Sequence, residues 1–211
     1  MSDPFLVYFA DPMCSWCYGF GPELEALLAG RPQLRVDLVM GGLRPYHAER
    51  STAEFRASIA EHWAHVARES GLPFDDSALA REDFVYDTEP ACRAVVAVRA
   101  TDAGRALPYF RRVQRAFYAE GRDVTRPEVL ADLAAQEGLD REVFLAAHAS
   151  QEARDAVRQD FSATQQTGVT GFPTLAAGYP ERRYFLVTAG FARAAEIADR
   201  LDRIHAIATM E

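Results

Sequence analysis

Cys14 and Cys17 stand three positions apart in DPMCSWCYGFGPE, residues 11–23. A pair of this type and spacing can hold a metal, form a structural disulfide, or exchange electrons with other thiols. A tetrahedral zinc site needs four ligands. The chain has only one further cysteine, Cys92, and no imidazole or carboxylate partner at ligand spacing near the pair, so no metal is expected. Three cysteines are also too few for a disulfide-stapled scaffold. Two readings remain: thiol redox chemistry, or two small core residues at the junction of a strand and a helix.

The flanking elements favour the first. FLVYFA, residues 5–10, is an unbroken apolar run between Pro4 and Asp11-Pro12, as in a strand buried on both faces. A helix is expected over 15–29, weakened by Gly19 and Gly21 and kinked at Pro22, which cannot bond to the Tyr18 carbonyl. Cys14 then falls where the helix begins. Unpaired N–H groups and the positive end of the helix dipole favour a thiolate there, the form that attacks disulfides. Cys17, one turn on, can resolve a mixed disulfide formed at Cys14. Cys14 is expected to be the exposed nucleophile and Cys17 the more buried resolver.

Residues 34–40, LRVDLVM, alternate as a second strand, so the chain opens strand–helix–strand. Helical patterning runs from about residue 50 to 165. Ser51 and Glu54 have capping-box spacing before Phe55, Ile59, Trp63 and Val66. Apolar stripes follow on Cys92, Val95, Val96 and Ala100 and on Phe110, Val113 and Phe117, then a helix opened by Thr125 and Glu128 with Pro127. Asp140 and Ser150 are read as two further caps. Residues 168–178 and 182–188 read as strands joined by a turn around Gly178-Tyr179-Pro180, and a last helix carries Ala194, Ile197, Ala198, Leu201, Ile204 and Ala208 on one face. Both ends of the chain should build one mixed sheet, with a block of helices inserted between them.

The chain has 211 residues, of which 49% are apolar and 26% charged, with a formal net charge of −8. An acidic balance excludes the basic surface that nucleic acid requires. No segment approaches the ~20 apolar residues of a membrane span. The start, MSDPFLVYFADP, has neither a basic region nor a small-residue cleavage site, so a cytoplasmic location with reduced thiols is expected.

The strand–CxxC–helix opening, the helical block and GVTGFPT at 168–174 together resemble the DsbA-like branch of the thioredoxin-like fold. Both motifs are most similar to its cytoplasmic protein-disulfide isomerase-like group, related to FrnE-type proteins. The resemblance covers essentially the whole chain. It implies an α/β fold: a thioredoxin-like mixed sheet with a large all-helical domain inserted between β-α-β and β-β-α halves. The discontinuous thioredoxin-like domain would take 1–45 and 167–211, and the helical insertion 46–166. Cys14 and Cys17 match the redox pair, and Pro173 the cis-proline that lies against it. The backbone of Phe172 would then face the cysteines and pair with an extended peptide held as a mixed disulfide. Without the resemblance, Pro173 reads as a trans proline opening an edge strand, cis being the minority isomer. The intervening Ser15-Trp16 differs from the Pro-His of periplasmic DsbA, so a strong-oxidant role does not carry over.

The function implied is a thiol–disulfide oxidoreductase or isomerase acting on protein or peptide thiols. It would use no cofactor beyond the Cys14–Cys17 pair, with glutathione as a candidate co-substrate and no nucleic-acid or membrane partner. One alternative is a glutathione-dependent isomerase or kappa-class transferase; those relatives commonly carry serine at the position of Cys14. The other is a non-enzymatic adaptor delivering clients to proteases. Trp16 offers either a platform for a peptide or packing against the helical block. Arg44 reads as part of a connector or as lining the site. His62 and His65 read as a solvated helix face or half a metal site, and Cys92 as a buried thiol or a third redox cysteine.

Overall fold

In the computed structural model, which describes residues 5–81, 83–179 and 183–209, the apolar run Phe5–Ala10 forms strand β1 inside a four-stranded sheet. Its order is β2-β1-β3-β4, with β2 at Val36–Met40, β3 at Thr174–Tyr179 and β4 at Arg183–Ala189. β2 runs parallel to β1, Leu6 opposite Val36 and Ala10 opposite Met40. Parallel neighbours need a crossover, and α1, Ser15–Gly30, supplies it. β3 is antiparallel to β1 and to β4. Helices α2 (Ala53–Ser70), α3 (Glu89–Thr101), α4 (Ala106–Tyr118), α5 (Pro127–Gln136), α6 (Arg141–Ala149) and α7 (Gln151–Gln166) fall between β2 and β3, and α8 (Ala194–Thr209) follows β4. This is the mixed sheet with inserted helices that the patterning anticipates.

Boundaries move where local hydrogen bonds compete. α2 is capped by Thr52, whose side chain accepts from the Phe55 N–H at 3.1 Å. Ser51 does not pair with Glu54 in a capping box; its N–H, which Glu54 would accept, donates instead to the Phe84 carbonyl at 3.0 Å. Thr125 does not open α5; Asp123 captures both its N–H and its hydroxyl, and the helix starts at Pro127. Asp140 and Ser150 do cap α6 and α7. β2 loses Leu34 and Arg35 from the expected strand. Residues 168–173 are loop rather than strand: Gly168 takes φ +74, ending α7 in the left-handed conformation open to glycine. Gly178 and Tyr179, expected in a turn, close β3, and Pro180 lies outside the described residues.

α1 packs against α2, α4 and α8. Tyr18 of α1 stacks on Tyr118 of α4 at 5.0 Å between ring centroids, and Trp63 of α2 meets Tyr118 at 4.9 Å. Such pairs add about 0.5–1.5 kcal/mol each beyond area burial, so the helix bearing the cysteines is held by the inserted helices as well as by the sheet. On the other side, Arg99 of α3 donates to both carboxylate oxygens of Asp160 on α7, at 2.8 and 2.9 Å. Asp160 in turn accepts the Met40 N–H, and Arg99 reaches the Leu38 carbonyl, so the β2 edge is covered.

Two glycines of α1 separate packing from propensity. A Cβ on Gly19 would lie 2.8 Å from Val66 Cγ1 and 3.3 Å from Ser70 Cβ, whereas one on Gly21 meets nothing within 4 Å. Gly19→Ala should lose about 1–3 kcal/mol of stability to overpacking. Gly21→Ala should gain about 0.5–1 kcal/mol by removing a flexible residue from a helix. Urea unfolding of both variants reads the opposite signs.

Candidate functional site

The strand β1 ends in Asp11-Pro12-Met13-Cys14. Pro12 pre-sets the dihedral of a tight turn, closed by the Cys14 N–H donating to the Asp11 carbonyl at 3.1 Å. The Asp11 side chain reinforces it: Oδ1 accepts the Met13 N–H at 2.8 Å. Cys14 emerges as the N-cap of α1 in extended conformation, without a side-chain cap and without an acidic residue in the first turn. The positive end of the helix macrodipole therefore lies at Cys14 uncompensated by a carboxylate on its own first turn.

Cys14, Cys17 and Cys92 are all free thiols and all buried. Cys14 keeps 5% of its surface and Cys17 none, which corrects the expectation of an exposed Cys14. The Phe172 carbonyl of the 171–173 loop lies against it. The Cys14 thiol lies 3.6 Å from the Phe172 carbonyl oxygen, and the Phe172–Pro173 peptide is cis. The chain segments carrying Cys14, Cys17, Phe172 and Pro173 thus meet in one place. Ser15 is buried in the first turn of α1, and Trp16 is half-buried. Burial pushes the Cys17 thiol pKa up; the neighbouring Cys14 pushes it further, and the Asp11 backbone N–H works against both. Burial pushes the pKa of the Tyr8 hydroxyl up, and the neighbouring Cys17 and Cys14 push it further.

Phe172 is positioned by a glycine. Its ring fills the space where Gly41 lacks a side chain; a Cβ there would lie 2.1 Å from Phe172 Cζ. Gly41 is itself anchored, its N–H donating to the Ala10 carbonyl at 2.7 Å.

Trp16 packs between the two sides of the site, its indole near His62 (6.1 Å), His65 (5.5 Å) and Phe191 (5.6 Å). The exposed His62 and His65 therefore bed the indole. Among the described residues no group of three or more potential ligands is placed to hold a metal. Arg44 behaves as a connector: its backbone exchanges hydrogen bonds with Thr88, and its guanidinium lies over Phe55 at 4.5 Å and meets His47 at 3.0 Å. Cys92 is enclosed and donates to Asp11 Oδ2 at 3.3 Å, and burial pushes its thiol pKa up.

Sequence reasoning missed Tyr8, Asp11 and Tyr86. Asp11 is fully buried, and burial raises its pKa against the hydrogen bonds that lower it. Tyr86 donates to the Met13 carbonyl at 2.7 Å. The available signals were a lone hydroxyl in an apolar strand and a carboxylate at that strand's end, just before the cysteines.

The DSBA-like thioredoxin domain family matches residues 6–202. Among solved structures, a protein disulfide isomerase candidate from Nitrosomonas europaea superposes with a TM-score of 0.88 at 35% identity, covering 96% of this chain and 97% of that one. The cytosolic disulfide reductase DsbM of Pseudomonas aeruginosa gives 0.78 at 28% identity, covering 98% and 100%; a second structure of it, with GSH, gives 0.77 at 30%, covering 96% and 98%. The ClpXP adapter protein SpxH of Halalkalibacterium halodurans is 25% identical over 177 residues, 81% of this chain and 58% of that protein. The chain thus spans less than two thirds of the length of this curated relative.

The fit of Phe172 to Gly41 is open to a double-mutant cycle. Gly41→Ala should destabilise by about 1–3 kcal/mol through overpacking. Phe172→Ala makes room for the new methyl, so the two substitutions should couple by about 1 kcal/mol or more in denaturant unfolding. Simple additivity would mean that the ring does not rest on Gly41.

Proposed function

This chain belongs to the DSBA-like thioredoxin domain family, and from that premise we propose that it is a thiol–disulfide oxidoreductase working through Cys14 and Cys17. The observation that carries the reading is the placement of two free thiols one helical turn apart at the start of α1, with the Phe172 carbonyl against the outer one. Cys14, with access to solvent, attacks a substrate disulfide. Cys17 then displaces the substrate thiol by forming the Cys14–Cys17 disulfide. Phe172 and Pro173 border the groove in which an extended peptide is held, and Ser15 and Trp16 form its other wall.

The likeness to a cytosolic disulfide reductase supports the reductive direction, a cytosolic setting and glutathione or a protein thiol as electron partner. Among the described residues no helix is long and apolar enough to cross a membrane. The similarity to SpxH favours a second reading, a client adaptor that needs no thiol chemistry.

Equilibration of the purified protein with glutathione buffers separates these. The dithiol reading expects a Cys14–Cys17 disulfide, lost in Cys14→Ser, with a mixed disulfide accumulating in Cys17→Ser. A potential near or below about −270 mV fits a reductase, and one near about −180 mV or higher fits an isomerase or oxidant. If no intramolecular disulfide forms at any poise, the reading fails. Client delivery that survives replacement of both cysteines by serine would then establish the adaptor.

A further inference from the structure

The peptide unit between Met13 and Cys14 is held at both ends. Its N–H donates to the Asp11 carbonyl at 3.1 Å, and its carbonyl accepts the Tyr86 hydroxyl at 2.7 Å. Met13 has no exposed surface, so water cannot stand in for the hydroxyl. On the far side of Cys14, its own carbonyl accepts the Tyr18 N–H at 3.0 Å. The Asp11 and Tyr18 bonds are local to the turn and the helix. The Tyr86 bond comes from 73 residues away, out of the segment that leads into α3. That segment is itself pinned, since Val85 bridges Arg50 and the Phe84 carbonyl accepts the Ser51 N–H at 3.0 Å. Tyr86 is 3% exposed, its ring set among Phe55 at 6.1 Å, Phe84 at 5.8 Å and Phe117 at 5.8 Å. A tyrosine hydroxyl has one proton to donate, and packing on three sides aims this one at Met13.

We propose that Tyr86 is a positioning residue for the attack of Cys14, its bond to the Met13 carbonyl holding the peptide that aims the nucleophilic sulfur. The inference rests on the dithiol reading above. The Cys14 side chain has little else to hold it: it makes no cap hydrogen bond, and its thiol meets the Phe172 carbonyl at a long 3.6 Å. Because a peptide unit is planar, tying both of its ends fixes the direction in which the next residue leaves. Released from Tyr86, the Met13 carbonyl is free to turn toward the first-turn N–H groups of α1, which have no partner within the helix. There it competes with the Cys14 sulfur for the donors that steady a thiolate. In the attack, Cys14 gives up its proton and its sulfur bonds to one sulfur of the substrate disulfide. The substrate S–S bond breaks, and the departing thiolate takes up the proton. Cys14 is oxidised and the leaving thiol reduced; Tyr86 keeps its own proton throughout.

Rapid-quench mass spectrometry of reduced Cys17→Ser protein over a range of glutathione disulfide concentrations isolates this attack, because the reaction stops at the Cys14 mixed disulfide. Adding Tyr86→Phe keeps the ring and removes the hydroxyl. The limiting rate should fall about fivefold to tenfold, the worth of one neutral hydrogen bond, with the half-saturating concentration within about twofold. Tyr109→Phe is the control: its buried hydroxyl donates instead to the Leu130 carbonyl at 2.9 Å, so it reads the general cost of deleting a buried hydroxyl, and the rate should stay within about twofold. An unchanged limiting rate in Tyr86→Phe, a change confined to the half-saturating concentration, or equal slowing in Tyr109→Phe overturns the role of Tyr86 while the dithiol reading stands. Loss of the folded state in Tyr86→Phe assigns the bond to stability and overturns it too. Failure of Cys17→Ser alone to form any mixed disulfide overturns both.

Discussion

The Asp11 carboxylate, fully buried at the end of β1, takes hydrogen bonds from three segments that are far apart in sequence. Oδ1 accepts the Met13 N–H, and Oδ2 accepts the Leu43 N–H at 2.7 Å and the Cys92 thiol at 3.3 Å. A carboxylate with no access to water is costly unless its lone pairs are satisfied, so the turn before Cys14, the loop leaving β2 and the wall of α3 are tied together. The same residue's carbonyl accepts the Cys14 N–H and closes the turn that starts α1. Displacing any one of these segments would leave buried polar groups unpaired, at about 1–3 kcal/mol each. The position of the outer cysteine is thus set by a network, with little contribution from the cysteine itself.

Around that anchor the inserted helices act on the site from both sides. The aromatic cluster of Tyr18, Trp63, Phe74 and Tyr118 grips α1 beyond the cysteines, while the Arg99–Asp160 pair fixes the end of β2, from which Gly41 continues. Gly41 receives the Phe172 ring, so the end of β2 positions the loop that lies on Cys14. Cys14 and Phe172, 158 residues apart, therefore meet where Gly41 leaves room for the Phe172 ring. A small displacement of α3 or α7 would reach the cysteine through β2 and the Phe172 ring, without touching α1.

What could be read in the sequence follows the range of the forces involved. β1, α1 and α8 were legible because a continuous apolar run and a helical stripe each report burial locally. The cysteine pair was legible because spacing within one helical turn is also local. The Ser51–Glu54 capping box does not form, since Phe84, more than thirty residues away, takes the Ser51 N–H that Glu54 would accept, and Thr52 caps the helix. Residues 168–173 looked like strand by composition, yet Gly168 caps α7 and Pro173 offers no N–H to a ladder. Asp11 was passed over because nothing near it in the sequence reveals that Cys92 and Leu43 are its partners. The two histidines were weighed as ligands, and their neighbour proved to be the Trp16 indole.

Access also orders any chemistry at the pair. A substrate disulfide can approach Cys14 only at the small part of its surface that is exposed, and cannot approach Cys17 at all, since Cys17 has no exposed surface. Cys17 therefore reacts only with what is already attached to Cys14, and being one turn away in the same rigid helix it does so at the high effective concentration of a pre-positioned neighbour. Burial that disfavours its thiolate keeps it inert until then. The same burial that protects it against adventitious oxidation makes its activation depend on the few hydrogen-bond donors around it. On the dithiol reading, the burial of Cys17, more than the exposed rim around Trp16, would set how quickly a mixed disulfide is let go.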